Sequence, residues 1–152
     1  KTVNLSQGVY ESDSVMAAAV AAHECGHAVQ HAKAYAPLTL RSKLVPVVSF
    51  ASNWIMWLLL IGIFTIQMFP QIMLAGIVLF AFTTIFSFVT LPVEIDASKR
   101  ALVWLRGAGI TDNGTQEYAS SALRAAAYTY VVAALSSLAT LIYYILIFTR
   151  RN

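Results

Sequence analysis

Charge is what this sequence has least of. Only 11% of its 152 residues are Asp, Glu, Lys or Arg while 59% are hydrophobic, against about a quarter charged and about half apolar in soluble domains. The scarcity is concentrated: residues 44–93 contain no charged side chain, and neither do residues 125–149. A chain of this size cannot hide so much apolar surface in one small core, and uncharged runs of this length exclude an ordinary soluble fold in favour of one that crosses a bilayer. Cysteine is nearly absent as well. Cys25 stands alone, which rules out an intramolecular disulfide and removes any argument for an oxidising compartment; a small, buried, unreactive side chain is the expectation for it. Internal repeats, low-complexity linkers and a second, soluble domain are also missing, so residues 1–152 read as a single membrane-embedded domain. The chain opens on Lys1 with no methionine and no signal peptide, so an amino-terminal part is expected to be absent from it.

The charges that are present flank the uncharged runs. Ten basic residues against seven acidic ones give a net charge of +3 and a pI near 9.2. In a membrane protein that excess reports orientation before it reports nucleic acid, and nucleic-acid binding is excluded. Three spans are expected, at about 44–68, 71–91 and 125–149. The first two form a hairpin whose uncharged turn, residues 67–71, holds Pro70. Lys33, Arg41, Lys43, Lys99, Arg100, Arg106 and Arg124 all fall on the side opposite that turn, which the positive-inside rule makes the cytoplasm. Arg150 and Arg151 fall on the far side, against the rule.

Outside the spans the fold class is all-α, a helical bundle with a short extended amino-terminal segment at residues 1–6, ended by Gly8 as a breaker. Residues 14–34, rich in alanine, predict a helix with Asp13 or Ser14 as N-cap, Glu11 and Asp13 near the positive end of its dipole, and Pro37 closing it. Pro92 is expected to open a further helix through Arg106, stopped by Gly107-Ala108-Gly109. A last helix is expected from about Thr115.

The 14–34 helix carries His23-Glu24-Cys25-Gly26-His27, the His-Glu-x-x-His pattern. Residues four apart lie one turn apart on one helix face, so both imidazoles reach one zinc ion while Glu24 addresses its water. A catalytic zinc commonly takes three protein ligands and leaves one position open. His31 continues the spacing, but eight residues of helix set it about 12 Å from His23 along the axis, too far to share a metal with both others. Glu94 is the better third ligand. It follows directly on an uncharged span, where an ionisable group needs a partner, and two spans separate it from His27, so the chain crosses and returns to the same membrane face.

Three stretches together resemble a known family. Ser6-Gln7-Gly8-Val9-Tyr10, the run Ala21 to Ala32 around the histidines, and Leu91-Pro92-Val93-Glu94-Ile95-Asp96-Ala97-Ser98 are similar to the bacterial YugP-type neutral zinc metallopeptidases of the membrane, over nearly the whole chain. The Glu94-x-Asp96-Ala97 pattern more distantly resembles the third-ligand motif of the HtpX heat-shock and CAAX prenyl proteases. In those relatives an aspartate follows the glutamate by four residues; here that place is Ser98, and Asp96 is the acid available to orient a histidine. The resemblance implies a bacterial inner-membrane, multi-pass location and a further amino-terminal segment with a span of its own.

The expected function is zinc-dependent endopeptidase of the gluzincin type. His23, His27 and Glu94 hold Zn2+, Glu24 is general base toward zinc-activated water, and the substrate is a peptide or membrane protein met at the cytoplasmic face. Tyr10, His31, Tyr35 and Arg100 stand as alternatives for a group stabilising the oxyanion. A zinc-containing scaffold without activity is the competing class; Glu24 argues against it, because a structural site needs no base beside its ligands. A transport path is weaker still, because the spans hold no ionisable residue. Whether the chain has a protein partner or forms an oligomer is not encoded in any motif.

Overall fold

In a computed structural model that describes residues 2–150, every element of regular structure is a helix: α1 (Gln7–Tyr10), α2 (Val15–Ala32), α3 (Ala36–Thr65), α4 (Pro70–Gly107) and α5 (Asn113–Thr149). The all-α expectation holds. Residues 2–6 precede α1 without pairing into a strand, and Gly8, expected as a breaker, lies inside that first short helix. The last three helices, of 30, 38 and 37 residues, are each long and apolar enough to cross a membrane. About 20 residues suffice for a span, so α4 has an uncharged length, residues 70–93, followed by a charged one that begins at Glu94.

Helix starts follow local chemistry. Ser14 keeps an extended backbone and its hydroxyl accepts the Ala17 N–H at 3.1 Å, which settles the N-cap of α2 on Ser14 rather than Asp13. Asp112 does the same for α5, its carboxylate accepting both the N–H and the hydroxyl of Thr115 at 2.7 Å. That contact pulls the Asp112 carboxyl below the usual range, as expected when hydrogen bonds favour the charged form.

The prolines depart from expectation. Pro37 does not close α2; it sits in the first turn of α3, where its missing N–H has no helical partner to lose. The polar stretch around Arg41 and Lys43 is therefore helical, and Pro46 is enclosed in α3. Pro92 likewise starts no new helix, because α4 runs through it from Pro70 to Gly107. One proline deletes one backbone hydrogen bond, a loss that long apolar helices tolerate. The stop of α2 is made by the backbone: Tyr35 N–H reaches Gln30 O at 3.0 Å and Ala34 N–H reaches His31 O at 3.3 Å, with Ala34 at φ 49°. These are the bonds of a Schellman motif, whose left-handed position glycine normally fills.

Contacts divide the described chain into two units, residues 2–39 with Thr90–Tyr130, and Leu40–Val89 with residues 131–150. In the second, α3 and α4 form the expected hairpin. Leu59 faces Gly76 and Gly62 faces Met73, so the numbers of facing residues rise on one helix as they fall on the other, which marks antiparallel packing. A Cβ on Gly62 would lie 2.7 Å from Met73 Cα, the close approach small residues permit between membrane helices. Leu59, Met73 and Ile77 form the buried centre of this unit, with Leu141 and Tyr144 of α5 against it. The Ser137 hydroxyl donates to Thr84 Oγ1 at 2.7 Å, a polar contact between α5 and α4 of the kind that joins membrane helices.

In the first unit α2 buries Ala17, Ala19, Ala22, Gly26 and Gln30. Ala19 and Ala22 pack with Ala101 and Leu105 of α4 and Ala119 and Leu123 of α5. Cys25 lies off that face and is exposed, contrary to the expectation of a buried side chain. The left-handed Ala34 yields a first prediction. Ala34→Gly removes the Cβ clash of that conformation, worth about 1 kcal/mol before the entropy glycine adds to the unfolded chain; the thermal unfolding midpoint of the purified protein is expected to rise or hold, whereas Ala34→Val lowers it.

Candidate metal centre

Three side chains from two helices converge in the first unit. His23 Nε2 lies 3.1 Å from Glu94 Oε2, and His27 Nε2 lies 3.5 Å from the same oxygen. The potential ligand atoms of all three lie within 4.8 Å of one another. The imidazoles stand edge to face, with ring centres 4.7 Å apart and planes at 87°, as side chains one turn apart on α2 must to face a common point. Glu94 is 3% exposed, and the histidines are half-buried. The approach that brings α4 to α2 has an identifiable cause. A Cβ on Gly26 would fall 2.7 Å from Ala97 O, so only glycine between the two histidines allows the backbones this close.

The hydrogen bonds behind the cluster determine what it can bind. The Gln30 amide nitrogen donates to Val93 O and to Asp96 Oδ2, both at 2.8 Å. With its nitrogen so committed, Gln30 presents Oε1 to His27 Nδ1 at 3.0 Å. An amide oxygen only accepts, so His27 Nδ1 carries the proton and Nε2 of the neutral ring holds a lone pair. That lone pair faces the carboxylate of Glu94, another acceptor. Two acceptors at this distance repel unless a cation lies between them. A proton is one such cation: the hydrogen bond to Glu94 is the largest influence holding the His27 pKa above its ordinary value, against the opposing effect of burial. A metal ion is the other. Zinc held by N and O donors at about 2.0–2.2 Å separates neighbouring ligand atoms by roughly 3.3–3.5 Å, and the observed 3.1 and 3.5 Å bracket that range. The donor set fits zinc.

On the other ring, His23 Nδ1 meets Ser98 Oγ at 3.1 Å. Ser98 thus contacts a histidine. Asp96 acts one step further out, through Gln30, and is itself held by Arg100 Nε at 2.6 Å. That ion pair occupies Arg100, one of the alternatives for the oxyanion. Tyr10 is 78% exposed on α1, whereas His31 lines a cleft of 570 Å³ together with Glu24, His27 and residues Thr2 to Asn4. A second cavity, of 180 Å³, is lined by His23, Glu24 and Glu94, with Tyr130 on its wall. Glu24 is exposed and borders both. Sequence reasoning missed Gln30, Ser98 and Tyr130. The spacing of Gln30, three residues after His27 on the buried face, was the available signal for the first; nothing local marked the third.

An all-α chain with three membrane-length helices and a His-His-Glu cluster belongs, by its architecture, among membrane proteins able to hold a zinc ion. The chain matches the model of a family described as "Putative neutral zinc metallopeptidase" over residues 1–149, and it belongs to that family. It is similar to the protein named "Putative membrane protease YugP" from Bacillus subtilis (strain 168), with 43% identity over 148 residues. The aligned region covers 97% of this chain and 65% of that protein, so the chain spans slightly less than two thirds of its relative's length. No solved structure matches the chain at a significant level.

The Gly26–Ala97 contact makes a direct prediction. Gly26→Ala pushes α2 and α4 apart at the cluster and is expected to weaken zinc binding by at least about tenfold, the scale of disturbed ligand orientation, as read by competition with a chromophoric chelator. Gly8→Ala, where an added Cβ meets nothing within 4 Å, leaves zinc binding unchanged.

Proposed function

We propose that this protein is a membrane-embedded zinc endopeptidase in which His23, His27 and Glu94 hold the metal and Glu24 is the general base. The observation that carries the reading is the inward-facing set of acceptors: an Nε2 lone pair, fixed by Gln30, against a buried carboxylate, with Glu24 beside them in open cavities. A structural zinc site has no use for an exposed carboxylate flanked by room for a ligand. Zinc, when bound, polarises the scissile carbonyl and lowers the pKa of water toward neutrality.

The remaining steps belong to the chain's own groups. Glu24, at the junction of the two cavities, takes the proton from the attacking water and passes it to the departing amine. Gln30 and Ser98 keep the imidazole rings turned so that both Nε2 atoms point inward, and by holding the proton on Nδ1 of His27 Gln30 keeps that ring a ligand. His31 and Tyr130 border the cavities from which a substrate carbonyl is approached. Basic residues beside the spans favour a site facing the cytoplasm of a bacterial inner membrane, where peptide segments of membrane proteins or their exposed tails are the substrates.

Two substitutions test the roles separately. Glu24→Gln is expected to keep stoichiometric zinc while peptide cleavage falls by about 10²–10⁴, the range for loss of a general base; full cleavage by the zinc-loaded variant contradicts the role. Gln30→Leu leaves the His27 Nδ1 proton without its acceptor and is expected to weaken zinc affinity by about 10–100-fold, measured by the same chelator competition. Because His27 must lose its extra proton to take a metal, zinc affinity is also expected to fall as pH drops through its raised pKa.

A further inference from the structure

We infer that the groove leading away from His23 and Glu94 selects a peptide with an apolar side chain beside the scissile bond and an acidic residue two or three positions further along. The inference rests on the zinc-peptidase reading and adds the substrate's chemistry to it. The 180 Å³ cavity at the cluster has an apolar wall built by Val20 and by Leu123, Ala126 and Ala127 of α5. Adjoining it is a hollow of 310 Å³ that shares Ser98, Leu123 and Ala127 with the first as common wall. The hollow adds two cations, Lys99 and Arg124, and no acid lines it.

Among the described residues neither cation is held in a close ion pair, although Lys99 also acts on the Asp96 carboxylate at longer range. Arg124 is engaged, among those residues, only by the Ser120 hydroxyl, at 3.2 Å. The cleft bordered by Thr2, Val3, Asn4 and His31 is lined, among the described residues, by no lysine or arginine. The charge preference is therefore one-sided. Lys99 follows Glu94 by five residues, about 7.5 Å along the helix. An extended peptide advances about 3.3 Å per residue, which places the complementary acid two or three residues from the bond that is cut. An anionic lipid headgroup offers the same charge, but the hollow shares three lining residues with the cavity of the metal cluster, which favours the peptide.

The test uses zinc-loaded, full-chain protein in nanodiscs of phosphatidylcholine. Quenched fluorogenic peptides carry leucine next to the scissile bond and Glu, Gln or Lys two or three residues away, in the direction that gives the larger effect. The unaltered protein is expected to favour Glu over Lys by about five- to tenfold in kcat/KM, the scale of one or two partly solvated charge pairs. The double reversal Lys99→Glu, Arg124→Glu is expected to invert that order, and the neutral pair Lys99→Gln, Arg124→Gln to abolish it. Peptide affinity for the zinc-loaded Glu24→Gln form, read by fluorescence anisotropy, should follow the same ranking without turnover. Rates and affinities indifferent to peptide charge overturn the inference alone. So does a double reversal that changes only binding to phosphatidylglycerol vesicles, which would make the cations a lipid site. Failure of the unaltered zinc-loaded protein to cut any peptide overturns the peptidase reading and this inference with it.

Discussion

The structure turns on how close α2 comes to α4. Gly26 lies between the two histidines of the motif, and the backbone oxygen of Ala97 occupies the space where any other residue would put a Cβ. This single contact sets the distance at which His23 and His27 meet Glu94. The surrounding surface is suited to it: Ala19 and Ala22 on α2 and Ala101 on α4 are small, so the helices approach along a length rather than at one point. Small-residue packing of this kind brings backbones together where bulky cores hold them apart. The alanine content of the motif helix is therefore a geometric requirement of the cluster, quite apart from helix propensity.

A close approach does not by itself orient a ligand. Gln30, fully buried, settles that by a simple exclusion. Its amide nitrogen has two acceptors, Val93 O and Asp96, so its oxygen must face His27. The tautomer of His27 follows from the acceptors around Gln30 without reference to any metal. Asp96 is in turn pinned by Arg100, which makes the chain of contacts run from a partly exposed guanidinium to Nδ1 of His27. Because α4 supplies Glu94, Asp96, Ser98 and Arg100 within two turns, one helix segment delivers a candidate ligand, the support of His23 and the anchor of Gln30.

Much of this was legible in the sequence, and the reasons for what was not are physical. The His23–Glu24–His27 spacing is a property of one helix, so it could be read locally, and the charge-free stretches announce membrane-length helices by composition alone. Glu94 was legible for a less local reason, as the first charge after a long apolar run. The prolines misled because their cost depends on what surrounds them. Pro92 reads as a helix start in an isolated segment, yet α4 absorbs it in mid-course. The end of α2 was obscured for the opposite reason: a Schellman turn is usually flagged by glycine, and here Ala34 adopts the left-handed angle. Ser98 was invisible as a support because its partner His23 lies 75 residues away; Gln30 stands three residues from His27, but the groups that orient it, Val93 and Asp96, lie more than 60 residues away.

Charge balance gives a reason for both glutamates. Two neutral imidazoles and the Glu94 carboxylate carry a net charge of −1, which a divalent ion converts to +1. A net charge of either sign is costly beside apolar helices unless a partner lies near. Glu24, on the same helix and bordering the same cavities, supplies the missing negative charge. With a divalent ion and the Glu24 carboxylate the centre would be neutral; without the ion, the Glu94 carboxylate favours a proton on His27. In the proposed reaction the proton that Glu24 takes from water leaves its negative charge on the attacking oxygen, beside residues and an ion whose charges would then sum to +1. Negative charge then develops on the substrate carbonyl, so on that reading the arrangement that balances the resting site would also favour the reacting one.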